Sequence, residues 1–137
     1  MLGSTAFRGT TFMTIAYWCV LVAILLPYVW FGALNAKLGA RRNNNEPRAV
    51  LVGLQGFELR AFGAHQNAFE VTTGFVAAVI IAHNVHATQS WIDTLAVVFV
   101  LARIAHGALY LADQGALRSA CFGIGLLCTI GLFVISA

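Results

Sequence analysis

Two short clusters hold most of the side chains in this sequence that are able to do chemistry. Residues 57–70 read FELRAFGAHQNAFE and bring together Glu58, Arg60, His65, Gln66, Asn67 and Glu70. Residues 103–110 read RIAHGALY, with Arg103, His106 and Tyr110, and LRSA follows at 117–120 with Arg118 and Ser119. The inventory is three cations, two carboxylates, amides and hydroxyls. A ligand with both carboxylates and an amine suits it: arginine forks grip carboxylates in bidentate fashion, and Glu58 or Glu70 is placed to hold an ammonium. A cation beside a thiol favours the thiolate, the nucleophilic form. The plainer alternative is that Arg60 pairs with a glutamate and the polar layer only joins helices. Tyr110 alone is also a common interfacial aromatic.

The first cluster lies between VLVGLQG and VTTGFVAAVIIA, stretches that a bilayer accepts readily. Ionisable groups at membrane depth are costly and usually face a bundle interior or a polar cavity. Composition agrees with a membrane setting. The chain has 137 residues, 60% of them hydrophobic and 9% charged, and its mean hydropathy is +0.83. Soluble domains carry roughly 25% charged residues. The length allows one domain over 1–137. A net charge of +3 does not indicate nucleic-acid binding, because the basic residues crowd beside one membrane face. Cys19, Cys121 and Cys128 are scattered without CxxC spacing and read as small buried hydrophobes, and no metal site is expected. The first apolar stretch lacks a short hydrophobic region with a cleavage site, so it reads as a spanning helix.

A spanning helix needs about 20 apolar residues, and the sequence predicts four, giving an all-α integral membrane bundle. They cover about 12–38, 48–82, 90–112 and 115–136. Pro27 is expected to kink the first. Pro47 suits the first turn of the second, and Ser90 is a candidate N-cap for the third. Only Asp113, Gln114 and Gly115 join the last two, which makes them antiparallel neighbours. Lys37, Arg41, Arg42 and Arg48 crowd the first loop, the second has no Lys or Arg, and the N-terminus has only Arg8. The first loop is therefore expected on the cytoplasmic side, with both termini non-cytoplasmic. His83 and His86 fall in the non-cytoplasmic loop without metal-ligand spacing and read as solvated.

Helical phase sorts the clusters. At 100° per residue with Glu58 at 0°, Arg60 falls at about 200°, Asn67 at about 180°, Glu70 at about 120°, Gln66 at about 80° and His65 at about 340°. Arg60 and Asn67 share a face with Glu70 on its flank, while Glu58 and His65 lie opposite. Polar groups on both sides make the second span central. Arg103, His106 and Tyr110 form one narrow stripe near the cytoplasmic end of the third.

These residues resemble a known family, the membrane-associated proteins in eicosanoid and glutathione metabolism (MAPEG). Arg60, Ala61, Ala64, His65, Asn67 and Glu70 match its second-helix signature. Arg103, His106 and Tyr110 match its third-helix motif, and Arg118 and Ser119 the start of its fourth helix. Compact ends and short loops resemble the bacterial branch. The resemblance implies a homotrimer in an inner membrane, with three sites between neighbouring subunits that bind bent glutathione from the cytoplasmic side. It implies that Arg118 stabilises the thiolate with Ser119 as a thiol hydrogen-bond donor. Arg60, His65, Gln66, Asn67, Glu70, Arg103, His106 and Tyr110 then form the glutathione site. Implied activities are glutathione transfer to hydrophobic small molecules, peroxide reduction and isomerisation of lipid peroxides.

Departures from the pattern keep a second class open. Several glutathione-using members carry arginine where this chain has Gln66, which removes one carboxylate clamp. Asn35 and Lys37 stand where better-known members place an arginine at the end of the first span, and Phe122 replaces a tyrosine found in some. The alternatives are a non-catalytic membrane protein that binds lipid or another anionic metabolite, or a structural subunit of a larger membrane complex.

Overall fold

The computed structural model describes residues 12–137; Arg8 lies outside the described residues. Four helices follow one another: α1 (Ile15–Leu38), α2 (Gly56–Asn84), α3 (Gln89–Leu111) and α4 (Gly115–Val134). Three segments are long and apolar enough to cross a membrane: Ile15–Arg41, which extends α1, then Gln89–Leu111 and Gly115–Val134. α2 has 29 residues, about 43 Å at the helical rise, but its polar run keeps it out of that group.

The boundaries differ from the sequence expectation where backbone conformation decides. α2 starts at Gly56 and not near 48. Gly53 and Gly56 have φ of 88° and 53°, left-handed values that glycine tolerates and that interrupt a helix. Residues Ala49–Leu51 form a single 3-10 turn, so Pro47 precedes that turn and not the first turn of α2. Thr88, not Ser90, stands at the N-cap of α3. Ser90 is inside the helix, where its carbonyl accepts from Thr94 Oγ1. Between α3 and α4, Asp113 takes φ 61°, a conformation that aspartate enters more readily than most residues.

α2 and α3 form the inner pair, each packed against the other three helices; α3 packs most closely on α4, and α1 on α2. The face of α2 toward its neighbours is largely alanine: Ala61, Ala64, Ala68, Ala78 and Ala82 are buried. Small residues let backbones approach where lipid offers no hydrophobic force to bring helices together. At mid-bundle Phe75 and Phe99 are fully buried and stacked with centroids 3.8 Å apart.

Hydrogen bonds then fix α1 in register. Thr14 Oγ1 accepts from the Tyr17 amide at 3.2 Å, and Asp93 of α3 accepts from the Ala16 amide at 2.8 Å. Two otherwise orphaned N–H groups of the first turn are thereby satisfied. Pro27 has no N–H, which frees the Ala23 carbonyl. Thr72 Oγ1 of α2 stands 3.2 Å from that oxygen and shares its proton with the Ala68 carbonyl at 2.7 Å. The Pro27 carbonyl accepts from His65 Nδ1 at 2.9 Å. His83, expected in solvent, is half-buried: it bonds Thr14 Oγ1 at 3.1 Å and the Val79 carbonyl at 2.8 Å, and stacks on Tyr17. His86 is exposed as expected.

Gly107 shows how close α1 and α3 come. A Cβ there would lie 2.1 Å from Trp30 Cζ2, so the indole occupies the space of a side chain. Gly107→Ala should lower stability by about 1–3 kcal/mol through overpacking, while Gly32→Ala, with nothing within 4 Å of its added methyl, should leave stability unchanged or raise it. Thermal unfolding of the two variants in detergent checks the contrast; equal losses would contradict the Trp30 contact.

Candidate functional site

The site is built where α2, α3 and α4 meet, near the turn that joins the last two. The stripe spacing of α3 turns Arg103, His106 and Tyr110 to one side. Arg103 and His106 are each only 3% exposed, although arginine cannot shed its charge. Asn67 of α2 answers it: Arg103 Nη2 donates to Asn67 Oδ1 at 2.6 Å. The guanidinium also lies 5.9 Å from the Phe122 ring centroid. Its Nε and Nη1, with His106 Nδ1, are buried without hydrogen-bond partners. Groups in this state are uncommon and call for a ligand, an ion or water.

A cavity of about 210 Å³ opens beside them, lined by Asn67, His106, Tyr110, Arg118, Ser119 and Phe122. Arg118 stands in it with Cζ 4.2 Å from the Tyr110 ring centroid, a cation–π contact, and His106 meets the same ring edge-on at 5.6 Å. Ser119 Oγ donates to the Gly115 carbonyl at 3.0 Å, so in this conformation its hydroxyl proton is engaged along the helix. A second, mostly apolar cavity of about 260 Å³ lies beyond Phe122, with Glu70 and Arg103 among its lining residues.

Asn67, Arg103, His106, Tyr110, Arg118 and Ser119 thus come together from three helices, and Glu70 borders the adjoining cavity. The remaining expected residues lie elsewhere. Arg60 donates to the Leu111 carbonyl at 3.3 Å and pairs with Asp113 at 3.5 Å, which ties α2 to the end of α3. His65 faces α1, bonded to Pro27 and set among Phe31, Phe62 and Phe69. Gln66 is exposed. Glu58 pairs with Arg41 of the first loop. Cys19, Cys121 and Cys128 are free thiols, and no group of three or more metal-ligating side chains occurs among the described residues.

Sequence reasoning missed what Phe122 does: it lines both cavities. It had been noted only as a departure from tyrosine. Sequence reasoning also missed the contribution of Gly63 and Gly125, which leave no polar signal. A Cβ on Gly125 would approach the Arg103 Cδ to 3.3 Å, so the guanidinium stem lies across bare α4 backbone.

Compared with known proteins, residues 15–137 match a family model described as the MAPEG family. No curated protein matches the chain, and no solved structure matches it.

Two substitutions separate the buried contact from the exposed one. Asn67→Ala removes the acceptor of a buried charged donor and should cost about 1.5–3 kcal/mol. Arg60→Gln, at a partly exposed pair, should cost about 1 kcal/mol or less. Denaturation of the purified variants gives the ranking; the reverse order would make Arg60 the structural anchor.

Proposed function

The chain belongs to the MAPEG family, and from that premise and the cavity around Arg118 we propose that it is a membrane-bound, glutathione-dependent transferase or peroxidase acting on lipophilic electrophiles or lipid peroxides. It is an integral membrane protein, with three described helices long and apolar enough to cross a bilayer. The observation that carries the reading is a set of unpartnered buried groups: His106 lines the cavity that holds Arg118, and Arg103 lines the adjoining one. Glutathione brings two carboxylates, an ammonium, two amides and a thiol. Arg103 and Arg118 supply cations for its carboxylates and sulfur, Asn67 and His106 supply amide and ring hydrogen bonds, and Glu70 supplies a counter-charge for the ammonium.

Arg118 stabilises the sulfur as the thiolate, which lowers the thiol pKa. The proton leaves to solvent, the sulfur attacks the electrophilic atom of the second substrate, and a carbon–sulfur bond forms as the leaving group departs or a strained ring opens. With a peroxide, the sulfur attacks the terminal oxygen, the O–O bond breaks, and the alkoxide leaves and takes a proton from solvent to become the alcohol. A second glutathione then reduces the sulfenic product, giving disulfide and water. Ser119 joins as a thiol donor only after releasing the Gly115 carbonyl.

A cavity of about 210 Å³ is smaller than the usual 300–1,000 Å³ of small-molecule pockets. A further wall is needed, and a homotrimer with the site between subunits supplies one. The basic first loop favours a cytoplasmic opening with both termini on the other side, in a bacterial inner membrane. Gln66, exposed and outside both cavities, favours the second reading: a non-catalytic family member that binds lipid or another anionic metabolite, or packs within a larger membrane complex.

An ultraviolet difference titration with glutathione tests the proposal. A saturable thiolate band is expected, lost in Arg118→Ala while the trimer mass in detergent is kept. No band at millimolar glutathione in an intact trimer would favour the non-catalytic reading.

A further inference from the structure

We propose that Gly63 is a positioning residue for the Arg118 guanidinium and acts through the Tyr110 ring. The geometry stands by itself; its consequence for the thiol rests on the glutathione reading above. A Cβ on Gly63 would lie 2.6 Å from Tyr110 Oη, 2.8 Å from its Cζ and 3.1 Å from its Cε1. The phenol therefore lies against bare α2 backbone, in the space that any side chain would fill. The same ring carries Arg118, with Cζ 4.2 Å from the ring centroid. Ion pairs of arginine among the described residues involve Arg41 and Arg60, which leaves the ring as the contact that locates Arg118. Gly63, Tyr110 and Arg118 form a stack across α2, α3 and α4, and its thickness is set by the absence of an atom.

Helix energetics point the same way. Glycine is disfavoured inside a helix relative to alanine, and Gly63 stands between Phe62 and Ala64 in unbroken α2. Gly32 of α1 supplies the contrast. An added Cβ there meets nothing within 4 Å. Gly63→Ala must push Tyr110 off the backbone and carry the guanidinium with it, whereas Gly32→Ala need move nothing.

Two measurements test this. In the first, the thiolate band of bound glutathione is titrated against pH in wild type, Gly63→Ala and Gly32→Ala. Gly63→Ala should raise the midpoint by about one pH unit, leaving roughly tenfold less thiolate below it, and Gly32→Ala should not move it. In a Tyr110→Ala background, Gly63→Ala should add no further shift, because its effect passes through the ring. An unchanged midpoint in Gly63→Ala, or an undiminished shift in the Tyr110→Ala background, overturns the proposal. In the second, phenylglyoxal modification of Arg118 is followed by peptide mass spectrometry with no thiol present. Gly63→Ala should react at least about threefold faster than wild type or Gly32→Ala, since the covering ring contact is lost; equal rates overturn the geometric claim. A wild type without a thiolate band would remove the glutathione reading and leave the phenylglyoxal comparison to decide. Should Gly63→Ala fail to fold, Gly63→Ala/Tyr110→Ala should recover the fold, and failure of that pair to do so also overturns the proposal.

Discussion

The guanidinium of Arg103 is the constraint on which this half of the bundle depends. It is buried between three helices and is never neutral under ordinary conditions, so the protein must solvate it from within. Asn67 gives one carbonyl oxygen, Phe122 gives a ring, and Gly125 gives room for the stem. These demands fix the rotation of α2 about its axis, the register of α3 against it, and a glycine where α4 crosses. The short turn Ala112–Gln114 then places Arg118 and Ser119 beside His106 and Tyr110. A positively charged floor and a cavity follow from one burial problem solved by neighbouring helices.

Much of this was legible in the sequence because helical phase is a property of spacing. Asn67 about 180° from Glu58 predicts opposite faces for the two, and Glu58 reaches Arg41 while Asn67 meets Arg103. His65, in phase with Glu58, reaches Pro27 on α1. The central position of α2 follows from the same pattern. Phase does not say which polar group finds a partner within the same chain: Asn67 meets Arg103, while Glu70 on its flank is exposed and borders the apolar cavity.

Other features escaped for reasons of a different kind. Hydropathy reports composition and not backbone conformation, so the apolar VLVGLQG run looked helical until its glycines took left-handed φ. His83 looked solvated because its partners, Thr14 and Tyr17, are far away in sequence. Arg60 has a carboxylate partner that helical phase does not reveal, because Asp113 sits in a loop whose turn geometry brings it back. Glycine contacts are hidden in principle: Gly63 and Gly107 act by what they lack, and a sequence shows that only when the opposing ring is known.

Helices in a bilayer gain little from burying apolar surface against one another, since lipid is as apolar as leucine. Orientation must then come from short-range packing and from directional bonds that cross between helices. This chain uses both. Pro27 breaks the hydrogen-bond ladder of α1, and Thr72 and His65 answer from α2; Asp93 answers the Ala16 amide of α1 from α3; Trp30 and Tyr110 fill gaps left by glycines. A bundle held this way satisfies its buried polar groups with its own neighbours almost everywhere. Among the described residues, the side chains of Arg103 and His106 are the places where that rule is left incomplete, and they stand beside the cavities. The functional region of such a protein is therefore recognised less by where polar residues occur than by where they remain unanswered after the helices have docked.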